Sequence, residues 1–367
     1  MDETKSNRLL SLDALRGFDM FWITGGQQLL LSIKDYTGWS WLVMIAPQFD
    51  HVEWNGFHFF DLIFPLFLFL SGVAMPFSLT RQLEKGVAKR KIYSKISKRV
   101  ALLIFLGVIY NGLGDWNFSH IRFASVLAQI GIAYFFAALI FLNTDWKHQI
   151  YWTAGILLCY WAIQTLIPVP GYGAGVLTSE GSINAFIDRL FLPGHLYLGV
   201  SDPEGWLVKI PATATALLGA LTGTFVKNKA ISERKKVLYM FISAIVLLAV
   251  SLVWNYILPI NKNLWTSSFV LHTAGWSVLL FSIFYFIIDV VKVIKWSFFF
   301  AVIGMNSITI YLATVLVDYN RPVERIFGGL IQHFDKGFQP VLGVCFAILV
   351  QWLVFYFLYK KKIFLKV

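Results

Sequence analysis

Apolar residues in this chain run in unbroken stretches of about twenty, without the every-second-residue alternation of a barrel strand. An α-helix of that length crosses about 30 Å of hydrocarbon. The pattern predicts spans at roughly 10–33, 57–80, 97–114, 123–143, 149–168, 206–226, 236–258, 266–290, 298–318 and 339–359, about ten in all. Hydrocarbon offers no water to backbone N–H and C=O groups, so helices that satisfy these groups internally are the expected solution. The fold class expected is therefore an all-α polytopic membrane protein, with residues 1–367 forming a single integral-membrane domain. Asp13, Arg16 and Asp19 interrupt the first stretch, and no short apolar core with a small-residue cleavage site precedes it. It reads as a retained helix and not as a removed leader.

Composition sharpens this picture. The chain is 57% hydrophobic and only 14% charged, whereas soluble domains are about a quarter charged, which excludes an ordinary cytosolic enzyme. Cys159 and Cys345 both lie in apolar runs, so neither a disulfide framework nor a zinc-ligand spacing exists, and no metal is expected. The net charge of +11 is concentrated at the ends of apolar stretches, in Arg81 to Arg99, in Lys227 to Lys236, and in Lys360, Lys361, Lys362 and Lys366. Every second loop is the basic one. Placing those loops in the cytoplasm puts about 23 of the 31 basic residues inside, with both termini cytoplasmic and an even span count. Such charge meets anionic lipid headgroups, and no nucleic acid partner is expected. The longest outward loop, about 169–205, has its own Gly and Pro punctuation and reads either as a substrate cap or as a solvated connector.

Polar residues inside or beside the apolar stretches are the candidates for chemistry. Asp13 and Arg16 stand three residues apart on one face of the first helix. They either pin the helix or present an arginine to a phosphate-bearing molecule on the cytoplasmic side. Asp50-His51-Val52-Glu53-Trp54-Asn55-Gly56-Phe57-His58 puts imidazoles at the outer mouth of the second helix, and Asp61 enters its apolar run. A histidine titrating near neutrality beside a carboxylate can take a proton from an incoming amine or hydroxyl. The alternative is interfacial anchoring among aromatic residues. Asp61 needs a partner or a proton at that depth, and a hydrogen bond to a neighbouring loop serves it as well as catalysis does. Arg122, Ser125 and Gln129 are expected to form a polar stripe on one helical face, and further polar clusters occur at Asp202 to Gly205, Pro259 to Trp265 and Gly304 to Ser307.

Five of these blocks occur in the order found in one known family: Ser11-Leu12-Asp13-Ala14-Leu15-Arg16-Gly17, His51 to Gly56 with Asp61 to Pro65, Asp202-Pro203-Glu204-Gly205, Pro259 to Trp265, and Gly304-Met305-Asn306-Ser307. The chain resembles the heparan-α-glucosaminide N-acetyltransferase family of membrane acetyltransferases. That resemblance implies transfer of acetyl from cytosolic acetyl-CoA, the acyl-donor substrate, to the amine of a glucosamine-like sugar or sugar-terminated glycan on the extracytoplasmic side. It places the family's catalytic histidine at His51. The family asparagine near the end of the first helix falls at Ile23 or Thr24 here. The luminal region preceding the first matching helix in animal members is not matched, which implies a smaller bacterial-type relative in an inner (cytoplasmic) membrane.

The resulting assignment has His51, Asn55 and Asp61 as catalytic candidates, with His51 acting as general base or as transient acyl carrier. Asp13, Arg16, Arg99 and Gln129 are candidates for holding acetyl-CoA. Asp50, Glu53, Trp54, Asp202, Glu204, Asn261, Lys262, Asn263 and Asn306 are candidates for binding the sugar. The expected partners are the amino sugar and membrane lipid, with a homodimer as the oligomeric expectation. The competing class is an amino-sugar transporter or permease without acyl transfer, against which stands the lack of an inverted repeat.

Overall fold

The computed structural model describes residues 9–112 and 121–364. Residues 113 and 114 at the end of one predicted span, Lys366 and both chain ends lie outside the described residues. All regular structure among the described residues is helical, with isolated bridge pairings only at Arg122 with Gly194 and Val169 with Gly173. In chain order the α-helices are α1 Leu10–Phe21, α2 Gln27–Thr37, α3 Ser40–Ile45, α4 Ile63–Val73, α5 Met75–Glu84, α6 Lys89–Gly112, α7 Val126–Asn143 and α8 Trp146–Leu166. They continue with α9 Ile183–Phe191, α10 Lys209–Lys227, α11 Glu233–Asn255, α12 Ser267–Tyr285, α13 Ser297–Gly304, α14 Ser307–Leu316, α15 Asn320–Ile331 and α16 Gln339–Lys360.

Each predicted apolar segment contains helix among its described residues, but the helices begin or end inside the predicted bounds, with 57–58, 123–125, 206–208 and 256–258 among the residues outside them. Among the described residues, five helices are long and apolar enough to cross a membrane, or six if α13 and α14, bent by 74° at their junction, form one span. The most apolar windows of α11 and α16 bury only 17% and 11% of their residues against protein. Helices that are apolar all round and left so uncovered suit a lipid solvent.

The chain divides into two compact units. The first comprises Met1–His51, His58–Ile63 and Leu280–Val367. Within it α1 and α13 cross backbone to backbone, because each contributes a glycine at the crossing: a Cβ on Gly17 would collide with the Phe300 carbonyl, and one on Gly304 with the Asp13 carbonyl. A π-helical turn, Trp22–Gly26, joins α1 to α2. Gly25 sits there at φ 151, a conformation essentially restricted to glycine.

The second unit comprises Val52–Phe57 and Phe64–Leu279. Its core is α10, whose Ala212, Ala214, Ala216, Leu217 and Ala220 are fully buried. Small residues let α4 approach closely. A Cβ on Gly72 would strike the Ala216 carbonyl, and one on Gly219 the Phe69 carbonyl. Gly72 therefore serves packing.

Candidate active site

In the first unit, the segment ahead of α4 folds as a single 3₁₀ turn, Phe59–Leu62. Asp61 sits in that turn with its side chain 1% exposed, where an unpaired carboxylate would be costly. Two donors satisfy it. The His58 backbone N–H donates to Oδ2 at 3.1 Å, and His51 Nδ1 lies 2.7 Å from Oδ1. An ionised carboxylate only accepts, so the His51 proton belongs on Nδ1 and the ring lone pair on Nε2. The His51 side chain itself is 52% exposed and its ring rests on Phe60, 5.1 Å between centroids. A buried carboxylate thus orients a half-exposed imidazole, an arrangement suited to accepting a proton or an acyl group.

Aromatic packing and side-chain-to-backbone hydrogen bonds hold the histidine loop. Trp22 lies 4.8 Å from Phe49 and 5.5 Å from Phe59 between ring centroids. Gln27 Nε2 donates to the Phe49 carbonyl at 2.6 Å, and the Phe59 N–H donates to Gln48 Oε1 at 3.1 Å. His58 Nδ1 lies 3.0 Å from the Asp50 carbonyl, so this second imidazole braces the loop; the Asp50 carboxylate is exposed. Asp13 is buried and Arg16 half-buried on α1. Asn306, at the bend between α13 and α14, is buried with neither amide atom hydrogen-bonded among the described residues.

In the second unit, Asn261 is fully buried and donates from Nδ2 to Asn55 Oδ1 at 3.0 Å, while its own Oδ1 accepts from the Leu264 N–H at 2.8 Å. The Gly56 N–H donates to the Ile260 carbonyl at 2.8 Å, and Trp54 Nε1 donates to the Leu177 carbonyl at 2.8 Å. The segment Val52–Phe57 is thereby fastened to the 259–266 loop and to the long 169–205 loop. Glu53 is exposed, and Lys262 and Asn263 are half-buried. Arg99 on α6 lies over the Tyr134 ring of α7, 4.9 Å from its centroid. Gln129 is fully buried on α7 with both amide atoms lacking a hydrogen bond among the described residues.

The expected stripe of Arg122, Ser125 and Gln129 on one helical face does not form. Ser125 is the N-cap of α7 and accepts from the Ala128 N–H at 3.1 Å, so the helix starts after it and Arg122 lies on the preceding extended segment. From there Arg122 makes a two-pronged ion pair with Asp202, Nε to Oδ2 at 2.7 Å and Nη2 to Oδ1 at 2.6 Å, and also contacts Glu204. The hydrogen bond to Asp202 and the charges of Glu204 and Asp202 outweigh the effect of burial and hold the guanidinium above its ordinary range. Burial pushes the Glu204 carboxyl up against the pull of Arg122. Asp202 also accepts from the Tyr197 and Glu204 N–H groups, at 3.1 and 3.0 Å. These contacts brace the long loop.

Asp188, on α9 within that loop, was not legible as part of this cluster. It accepts from the Trp206 N–H at 2.9 Å and the Asp202 N–H at 3.3 Å. Burial raises its carboxyl to about 6, against the lowering effect of those two hydrogen bonds. Gly205 admits it, since any Cβ there would strike the carboxylate. The sequence signal for Asp188 was weak, because a lone acid in a polar loop resembles any solvated residue.

Comparison with known proteins matches residues 8–167 to a family described as a domain of unknown function, DUF5009. The chain is 28% identical to mouse (Mus musculus) heparan-alpha-glucosaminide N-acetyltransferase and 27% identical to the human (Homo sapiens) enzyme, over 99% and 98% of its length. It is a distant relative of these acetyltransferases. The chain spans 61% and 60% of the length of the two enzymes. Both the His51–Asp61 pair and the Asn55–Asn261 contact fall within the aligned extent of this family resemblance.

Proposed function

We propose that this protein is a membrane acetyltransferase that moves acetyl from cytosolic acetyl-CoA to the amine of an amino sugar on the extracytoplasmic side, with His51 at the reacting centre. The observation that carries the reading is the hydrogen bond from half-exposed His51 to buried Asp61, in a chain whose relatives are N-acetyltransferases. In the one-step form the amine nitrogen attacks the thioester carbonyl carbon, its proton passes to His51 Nε2, and the carbon–sulfur bond breaks to release the CoA thiolate, which takes up a proton. In the two-step form Nε2 attacks the thioester first, and the acetyl-imidazole then passes its acetyl group to the amine. Asp61 orients the ring and stabilises the imidazolium in the one-step form. Arg16, on the helix that begins at the cytoplasmic side in this arrangement, is assigned to the CoA phosphates because a guanidinium matches phosphate geometry.

The alternating basic loops support about ten spans with both termini in the cytoplasm; a bacterial inner membrane is the proposed residence. His51 then faces outward. A reporter active only outside the membrane is expected to work when fused within 169–205 and to fail after Lys362; the reverse overturns the orientation. Purified protein in detergent is expected to acetylate glucosamine from acetyl-CoA, and His51→Ala to lower turnover by about 10² to 10⁴. A mass-shifted acetyl-imidazole trapped before the acceptor is added selects the two-step form. Unchanged acetylation by His51→Ala, or movement of the sugar without acetylation, overturns the proposal.

A further inference from the structure

The second unit carries an apolar groove of about 430 Å³ walled by α10 (Leu218, Leu221, Phe225), α11 (Tyr239, Val246) and α12 (Val278). None of the residues assigned to the reaction lines it. On α11, spacings of four, three and four residues put Lys235, Tyr239, Ile242 and Val246 on one face, so the face that lines the groove ends in a lysine. The rings of Phe225 and Tyr239 meet edge to face, 6.2 Å between centroids, where the groove reaches the basic 227–236 segment. That segment is a short link between the two walls: α10 ends at Lys227, α11 begins at Glu233, and the Ala230 N–H donates to Asn228 Oδ1 at 2.9 Å. Lysines on the link therefore stand at the mouth of the groove.

We infer that this groove holds an acyl chain of an anionic phospholipid whose phosphate is bound by Lys229 and Lys235. Three observations select that occupant. The first is charge. Lys227 pairs with Glu84 at 3.3 Å and Lys236 with Glu233 at 3.0 Å, whereas Lys229, Arg234 and Lys235 are exposed and have no carboxylate partner among the described residues. The mouth thus keeps uncompensated positive charge, which favours a headgroup of net negative charge over a zwitterionic one. The second is depth. From Phe225 to Leu218 and from Tyr239 to Leu247 the walls run about 10 to 12 Å at about 1.5 Å per residue, within the roughly 15 Å of hydrocarbon in one leaflet. The groove is matched to a tail from the leaflet on the basic side, not to a segment crossing the whole membrane. The third is polarity. Thr222, Ser243 and Tyr239 bring hydroxyl groups to an otherwise apolar lining, and Thr222 Oγ1 already donates to the Leu218 carbonyl at 2.9 Å. Tyr239, exposed at the mouth, is placed to donate to a phosphate or ester oxygen.

A second copy of this chain is disfavoured as the occupant. Two copies related by a two-fold axis along the membrane normal would bring the same basic link into apposition, and like charges repel. Lipid also suits α11 over most of its surface, since only 17% of its most apolar window is buried against protein. Because the lipid binds the folded protein, it is expected to stabilise the fold by mass action. The inference does not rest on the acetyltransferase reading, for it concerns residues with no role in the proposed reaction.

The test titrates the intact protein in a neutral detergent with phosphatidylglycerol and, separately, with phosphatidylcholine of the same acyl chains. Bound lipid is read by native mass spectrometry and stability by unfolding temperature. Phosphatidylglycerol is expected to bind about tenfold more tightly than phosphatidylcholine and to raise the unfolding temperature more. Lys229→Gln combined with Lys235→Gln should abolish that preference while phosphatidylcholine binds as before. Val246→Trp, which fills the groove from α11, should weaken both lipids several-fold. Unfolding without lipid shows whether each variant is folded; if Val246→Trp is not, glycerol phosphate, which carries the charge without the chains, tests the groove and is expected not to displace phosphatidylglycerol. Equal binding of the two lipids by the parent, an unchanged preference in the double variant, or unchanged lipid binding by folded Val246→Trp overturns the proposal. Displacement of phosphatidylglycerol by glycerol phosphate or by acetyl-CoA also overturns it, as does a dimer that Val246→Trp dissociates with lipid binding unaltered.

Discussion

Replacing Asp61 with Asn isolates the charge and acceptor role of the carboxylate beneath His51. The change is nearly isosteric, and Asn Oδ1 can still accept from the His58 N–H, so the 3₁₀ turn at Phe59–Leu62 should survive. What changes is the partner of Nδ1. The amide can donate to Nδ1, which would put the ring proton on Nε2, the atom that accepts a proton or an acetyl group in the proposed reaction. The electrostatic part follows from the 2.7 Å contact. With charge centres about 4 Å apart, an imidazolium–carboxylate pair is worth about 4 kcal/mol at an effective dielectric of 20 and about 1 kcal/mol in bulk water. His51 is half exposed, so an intermediate value of about 2 kcal/mol is appropriate, equivalent to roughly 30-fold in rate. Adding the tautomer effect, Asp61→Asn is expected to lower kcat for glucosamine acetylation by about 10² to 10³, with KM for acetyl-CoA within a few-fold of the parent. The assay is initial-rate acetylation in detergent, with helicity and unfolding temperature measured on the same preparation. A well-folded Asp61→Asn protein turning over within twofold of the parent refutes the orienting role.

Two further outcomes are expected. Arg122→Met should leave Asp202 and Glu204 buried without their cation and destabilise the protein by about 3–5 kcal/mol, read as a lower unfolding temperature; an unchanged one overturns the bracing role of the cluster. Burial raises the Asp188 carboxyl from about 4 unfolded to about 6 folded, so between those values the folded state binds more protons than the unfolded state. The contribution of Asp188 is therefore fully present below about pH 4 and is lost as pH rises through 6, by about 3 kcal/mol in total. Asp188→Asn should flatten that part of the stability profile relative to the parent; identical profiles in the two proteins overturn the assignment.

The sequence alone determined the all-helical membrane character, because runs of about twenty apolar residues have few other physical solutions. It also singled out His51 and Asp61, since an imidazole at a helix mouth and a carboxylate in an apolar run each demand an explanation. Their ten-residue separation, however, left open whether Asp61 met His51 or another loop. Only the 3₁₀ turn at Phe59–Leu62, which folds the chain back on itself, decided that. Arg122 was placed on a helix by its spacing from Gln129, yet the Ser125 cap starts the helix only after it and leaves Arg122 on an extended segment that reaches Asp202, 80 residues away. Likewise Asp318 and Gln351 are unremarked single polar residues in sequence, and only the π turn and the packing of α16 in the first unit gather them around one cleft. Hydropathy is a local property that a linear chain displays directly. Contacts between residues far apart in sequence depend on where helices start, bend and cross, and those are set by caps, glycines and packing that act in three dimensions.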